Sequence, residues 1–173
     1  MAIKENKIKT AGFRAGFTTF EFAIAFTAVG VIAALAVILI SNSRMKLRDG
    51  RRLSDMIGLG QALLLYSDRY NEEGFKSLKC SKNTPAQVSL CLGRGPEGLA
   101  DFIPNINFLD DPMGKSVCRF DPLSDQPGQA CQPCNYAFVG NLEADRYSVA
   151  FCLEKGSQDL AVGLHYLTES GIR

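Results

Sequence analysis

Gly16-Phe17-Thr18-Thr19-Phe20-Glu21, followed by the apolar run Phe22 to Ile40, is the stretch on which the reading of this chain turns. From Phe17 to Ile40 the one ionisable side chain is Glu21, and about 24 residues of this composition suffice to cross a bilayer as a helix. A carboxylate at the edge of such a span is costly to take into lipid and calls for a cation at the same depth. Cleavage between Gly16 and Phe17 would create an amine one helical turn from Glu21. A neighbouring copy could then present its amine to the carboxylate and neutralise both charges.

A short basic leader ending in glycine, then an aromatic, Thr, two further residues and Glu before an unbroken apolar helix, resembles the processing site of type IV prepilins and the related pseudopilins. The resemblance covers Met1 to about Tyr70 in its motifs and the remainder in outline. It implies a membrane prepilin peptidase that cuts after Gly16 and methylates the new amino terminus at Phe17, with Glu21 as the acid used in assembly. It also implies an inner-membrane assembly platform, other pilin subunits as partners in a homo-oligomeric filament, and the lipid bilayer as host before assembly. Thr19 stands where the family usually has an aliphatic residue. Ile38 stands where many pilins of one subclass carry a helix-kinking proline, which leaves this helix without a built-in kink.

The formal net charge of +1 hides an asymmetry. Residues 1 to 70 hold ten Lys or Arg against five Asp or Glu, and residues 71 to 173 hold nine against thirteen. All six cysteines, Cys80, Cys91, Cys118, Cys131, Cys134 and Cys152, fall in the distal part, which argues for folding in an oxidising space outside the cytoplasm. Met1 to Gly16, with Lys4, Lys7, Lys9 and Arg14 against Glu5, reads as a cytoplasmic leader peptide. An ordinary secretory signal cut near Ala34-Leu35-Ala36 is the rival, but the run stays apolar past that point and would enclose Glu21. Arg44, Lys46, Arg48, Arg51 and Arg52 follow the span, where the positive-inside rule would prefer the cytoplasm. The cysteines and the leader outweigh this conflict: the expectation is a single pass through the cytoplasmic membrane with the C-terminal domain outside.

With no proline between Phe17 and Tyr70, residues 17–70 can form one helix, 17–40 in the membrane or filament core. Leu53, Met56, Ile57, Gly60, Leu63, Leu64 and Tyr70 recur at helical spacing and predict a face for packing. Gly50, Gly58 and Gly60 allow either close approach of a sheet or local flexibility. Asn71-Glu72-Glu73-Gly74 ends the helix and opens a head domain, 71–173. Within it, Thr84-Pro85-Ala86-Gln87 has the form of a helix start with a capping box, Pro96 to Phe102 that of a short helical turn, and Asp110 to Gly114 that of a turn. Ser116 to Phe120, Asn135 to Gly140, Tyr147 to Leu153 and Leu160 to Tyr166 alternate as strands. The fold expected is α+β: a long N-terminal helix packed on a small antiparallel sheet, pilin-like in outline.

Cys131-Gln132-Pro133-Cys134 invites a zinc or redox reading, but without a second pair at metal spacing structural disulfides are preferred. If Val139 and Tyr147 face each other in a hairpin, Cys134 meets Cys152; Cys80 and Cys91 can close a short loop. Asp110, Asp111 and Asp121 could offer oxygens to calcium, with a solvated turn preferred. His165 reads as a sheet residue, and no cofactor is expected. The basic cluster could attract DNA phosphates, but packing among stems or at a lipid surface is favoured over nucleic acid. No catalytic constellation emerges. The function expected is that of a structural filament subunit, with a type II secretion pseudopilin as the near alternative. A signal-anchored extracytoplasmic enzyme or metal-binding domain is the more distant one.

Overall fold

The computed structural model describes residues 18–70, 74–81, 85–140, 146–157 and 159–173. The leader, Gly16 and Phe17 lie outside the described residues, as do Asn71 to Glu73 and Thr84. One helix, α1 (Thr19–Arg69, 51 residues), precedes five strands: β1 (Ala86–Gln87), β2 (Ala137–Phe138), β3 (Ser148–Leu153), β4 (Gly163–Thr168) and β5 (Gly171–Ile172). Contacts divide the chain into two units, one ending at Ile40 and one running from Ser41 to Arg173. In the first, residues 19–40 form helix with exposed side chains throughout, and an 18-residue window there has mean hydropathy 2.8 with none of it buried.

In the second unit the strands form an antiparallel sheet in the order β1-β2-β3-β4-β5. The β3–β4 hairpin carries six residue pairs, from Ser148 opposite Thr168 to Leu153 opposite Gly163. Side chains alternate across a strand, so Phe138, Val149, Phe151, Leu153 and Leu167 share one core with the helix residues Leu53, Met56, Leu59, Leu63 and Tyr66. Ala137, Val139, Ala150, Cys152, Leu164 and Tyr166 form a second core with Cys118 and Cys134. The sheet is therefore covered on both faces, by the helix on one side and by the disulfide-bearing loops on the other.

The buried row of α1 differs from the expected stripe. It runs Asp49, Arg52, Met56, Leu59, Leu63 and Tyr66, at spacings of three and four, while Ile57 and Leu64 are 52 % and 69 % exposed. Two charged residues head this row, and treating charge as outward rotated the expected face by part of a turn. Of the three glycines, Gly60 faces the sheet, where an added Cβ would meet Leu167 at 3.4 Å; Gly50 and Gly58 face open space.

Five local expectations are corrected. Ala86–Gln87 is strand and Val88–Leu90 a 3₁₀ turn, because Ala86 pairs with Phe138 and Gln87 with Ala137. The Gln87 amide donates to Ser89 Oγ and Asp110 Oδ1, each at 2.8 Å. Ser116 to Phe120 makes one parallel bridge, Val117 with Asn135, and is otherwise irregular. The β2–β3 register is one residue from that expected, with Phe138 opposite Val149 and the Val139 N–H donating to the Ser148 carbonyl. The last strand begins at Gly163, and β5, which was not anticipated, continues the sheet. Near Gly95–Glu97 a 3₁₀ turn stands where a helical turn was expected, and Gly114 N–H donates to the Asp111 carbonyl in the expected turn.

The Gly128-Gln129 segment seals part of β4: Gly128 N–H donates to Leu164 O at 2.7 Å, and Leu164 N–H to Gln129 O at 2.8 Å. Gly163 sits under this seal with φ +122°, and a Cβ there would lie 2.6 Å from Gln129 O and 2.7 Å from Gly128 O. Gly163→Ala should therefore destabilise the head by roughly 1 to 3 kcal/mol. Gly58→Ala on the open helix face should instead be neutral or stabilise by up to about 1 kcal/mol. Denaturant unfolding of both full-length variants in detergent micelles, followed by near-UV circular dichroism, checks the contrast.

Candidate functional site

Two groups of polar side chains stand out, one in each unit. In the first, Thr18 precedes the helix and Glu21 lies in its first turn. The Thr18 N–H donates to Glu21 Oε2 at 2.8 Å and the Thr18 hydroxyl to the same oxygen at 2.9 Å. In return, the Glu21 N–H donates to Thr18 Oγ1 at 3.2 Å. This is a reciprocal capping box, which satisfies backbone donors that a helix start otherwise leaves open and puts a carboxylate at the positive end of the helix dipole. Thr18-Thr19-Phe20-Glu21 carries the signature S/T-x-x-E before an apolar run, so the cap was legible and was missed. Further along, the Thr27 hydroxyl donates back to Ala23 O at 2.6 Å, so its polarity is absorbed within the helix.

In the second unit, the Arg52 side chain is fully buried among carboxylates. Its Nε and NH2 make a bidentate pair with Asp111, at 2.5 and 2.9 Å, while NH1 reaches Asp49 Oδ1 at 2.6 Å and Glu154 Oε1 at 2.7 Å. Arg48 Nε donates to Glu154 Oε1 at 2.8 Å. Backbone donors add to the network: Asp49 accepts from the N–H groups of Glu154 and Lys155, at 2.9 and 2.7 Å, and Asp111 from that of Met113 at 2.7 Å. Two cations against three anions leave a local charge of −1. Bonds from Asp111 and Asp49 outweigh burial and raise the Arg52 pKa, so the guanidinium stays charged. The bond from Arg48, joined by Arg52, overcomes burial and holds the Glu154 carboxyl below its ordinary 4.5. Beside this group Tyr136 donates to Asp55 Oδ2 at 3.0 Å; burial raises the pKa of both.

This network changes the reading of three sequence features. Of the five cations after the apolar run, Arg48 and Arg52 are committed to acids of the head, and Arg51 lies 3.9 Å from Asp55; Arg44 and Lys46 are exposed. Asp111 is a partner of Arg52, Asp110 accepts from Gln87, and Asp121 Oδ1 accepts from the Leu123 N–H at 2.9 Å, so the three candidate calcium ligands serve three separate bonds. Among the described residues no group of three or more His, Cys, Asp or Glu side chains is arranged to hold a metal ion. His165 lies on β4, buried, with Nε2 2.9 Å from the Ala161 carbonyl.

The six cysteines form Cys80–Cys91, Cys118–Cys134 and Cys131–Cys152. The first agrees with the short loop expected. Cys134–Cys152 does not form: continued by two more pairs of residues, the β2–β3 register sets Cys152 level with Asn135, and Cys134 is drawn to Cys118 by the parallel bridge at Val117 and Asn135. The Cys-x-x-Cys pair is thus split between two bridges.

No protein-family model, curated protein or solved structure matches this chain.

Removing Arg52 leaves buried carboxylates facing one another. Arg52→Met should cost about 3 to 5 kcal/mol in unfolding free energy, measured by denaturant titration of the full chain. Glu154 supplies a pH test. Its folded pKa is depressed, so its contribution is complete above the ordinary 4.5 and is lost as pH falls through the lower folded value. The stability gap between wild type and Glu154→Gln should therefore narrow from about pH 6 towards about pH 3. A gap that holds constant or widens refutes the pairing.

Proposed function

We propose that the chain is a type IV pilin-like filament subunit, anchored in the cytoplasmic membrane by its first helical segment, cut after Gly16 and methylated at Phe17 by a prepilin peptidase. The observation that carries this reading is a helix start whose one ionisable side chain, Glu21, heads an apolar, wholly unburied run. Apolar surface of this extent needs lipid or other copies around it. In the filament the stretches Phe17 to Ile40 leave lipid and bury one another. Glu21 Oε2 takes both donors from Thr18, and Oε1 is the oxygen an incoming amine of Phe17 from an adjacent subunit would meet. A buried carboxylate is tolerated only when paired, so this contact sets the axial register. The head, closed by three disulfides and a buried ion network, suits the outer surface of a filament in an extracellular or periplasmic space. The mechanism is one of packing and charge pairing rather than catalysis.

The capping box gives Glu21 a second role, and two substitutions separate them. Glutamine also serves at the third position of a capping box, so Glu21→Gln retains the helix start but removes the charge, whereas Glu21→Ala removes both. If charge pairing governs assembly, both variants insert and are processed, and both assemble poorly, by tenfold or more in sheared-filament yield, an estimate on the order of a lost buried ion pair. Wild-type yield from Glu21→Gln with loss only in Glu21→Ala would leave the acid a cap alone. Intact mass of membrane-derived protein from cells with a prepilin peptidase should show a chain starting at Phe17 with one added methyl group. A start at Met1 or after Ala36 overturns the assignment.

A further inference from the structure

The disulfides of the head are not paired in chain order. Cys80–Cys91 joins successive cysteines, but Cys118–Cys134 and Cys131–Cys152 cross: Cys131 lies inside the loop closed by the first, and Cys134 inside that closed by the second. In an unfolded chain the shortest loop closes most readily. Cys131 and Cys134 are three residues apart, against separations of 16 and 21 for the two crossed bridges. Chain statistics favour the short loop by roughly tenfold, before the stiffness of so small a ring is counted. The final pairing must also be reached before the fold closes, since Cys118 and Cys152 are fully buried and Cys134 nearly so in the second core.

The local geometry points to how. Cys118 N–H donates to Asn135 O at 3.0 Å, and Asn135 N–H to Ser116 O at 2.7 Å, a short parallel contact that sets Cys118 beside Cys134. It needs only two segments about 18 residues apart along the chain. Cys152 lies on β3, and the β2–β3 and β3–β4 pairings hold it beside Cys131.

We propose that Cys131-Gln132-Pro133-Cys134 is an internal disulfide relay: these two cysteines oxidise first to each other, and Cys118 then takes Cys134 by thiol–disulfide exchange. In the exchange the Cys118 thiolate attacks Cys134 Sγ. The Cys118–Cys134 bond forms, the Cys134–Cys131 bond breaks, and Cys131 departs as a thiolate with no net change in oxidation state. A small-molecule disulfide such as oxidised glutathione supplies both oxidising steps. In the second step Cys131 attacks it and expels one glutathione thiolate; the deprotonated Cys152 then displaces the other, so two electrons end on glutathione and the Cys152 proton passes to solvent. The Cys-x-x-Cys spacing thus serves folding, although neither of its cysteines is bonded to the other in the finished head.

The test follows the reduced, urea-unfolded full chain after dilution into detergent micelles with a glutathione redox buffer. Samples are quenched by alkylation over time and digested with trypsin without reduction. Cleavage after Lys115, Arg119, Arg146 and Lys155 places Cys118, the Cys131/Cys134 pair and Cys152 on three separate peptides. Fragmentation at the Gln132-Pro133 bond then assigns each link. The expected early species is the peptide 120–146 bridged to itself, two hydrogens lighter and unalkylated, decaying as the link from Cys118 to Cys134 grows. In Cys118→Ala that bridged peptide should persist about fivefold longer or more, because its attacker is gone. In Cys152→Ala it should decay at the wild-type rate. Both readouts concern an intermediate and require no folded product. First appearance of Cys118–Cys134 or Cys131–Cys152 without the bridged peptide, or wild-type decay in Cys118→Ala, overturns the relay.

Discussion

A guanidinium sealed from water is the constraint on which the head domain depends. Arg52 projects from α1 into a site where every donor it uses meets a carboxylate, and those carboxylates come from three places: Asp49 on the same helix, Asp111 in the turn before Met113, and Glu154 just past β3. Desolvating one charge alone would be prohibitive, and desolvating these together is tolerated because each is bonded to at least two others or to backbone N–H groups. The consequence is positional. The helix can take only the rotation that delivers Arg52 and Asp49 inward, and this rotation presents Met56, Leu59, Leu63 and Tyr66 to the sheet. Apolar packing would tolerate a small slide of the helix along the sheet; a bidentate arginine pair does not.

The same network accounts for what the sequence disclosed and what it withheld. The long helix and the antiparallel sheet were legible from apolar spacing, the absence of proline over residues 17–70, and alternation in the last third. The rotation of the helix was not, because a charged residue on a helix is ordinarily read as facing water, and here Asp49 and Arg52 head the buried row. Ile57 and Leu64, equally apolar to the eye, stay outside. Nothing local distinguishes the two sets, since the difference is set by Asp111 and Glu154, far away in the chain. The dense basic cluster also loses weight as a topological signal: two of its members are neutralised by acids that are remote in sequence.

The capping signature shows how such a pattern succeeds in one place and fails in another. At Thr18 and Glu21 it is met by an apolar run with nothing to compete for the backbone, and the cap forms. At Ala86 and Gln87 the backbone is claimed by pairing of β1 with β2, and the glutamine turns to Asp110 instead. A cap is a local bond of modest value, and a sheet edge with a partner available outbids it.

That competition reaches furthest on the second face of the sheet. A sheet with a helix on one side commonly leaves the other to solvent, yet β3 is buried along nearly its whole length. The cover there is irregular chain, from Val117 to Gln129 and on to Cys134, and irregular chain supplies few backbone bonds to hold itself in place. Covalent anchoring compensates: one bridge fastens Cys131 to β3 itself, and the other ties Cys134 to Cys118 within the cover. Because successive strand residues face opposite sides, a one-residue change in register would turn Cys152 towards the helix and away from both cysteines of the cover. The bridge between Cys131 and Cys152 therefore locks the register of β3 as well as the position of the loop. The ion network does the same for the opposite face through Glu154, immediately beyond the end of that strand. Strand β3 is held at one register from both sides, once by a covalent bond and once by buried charge.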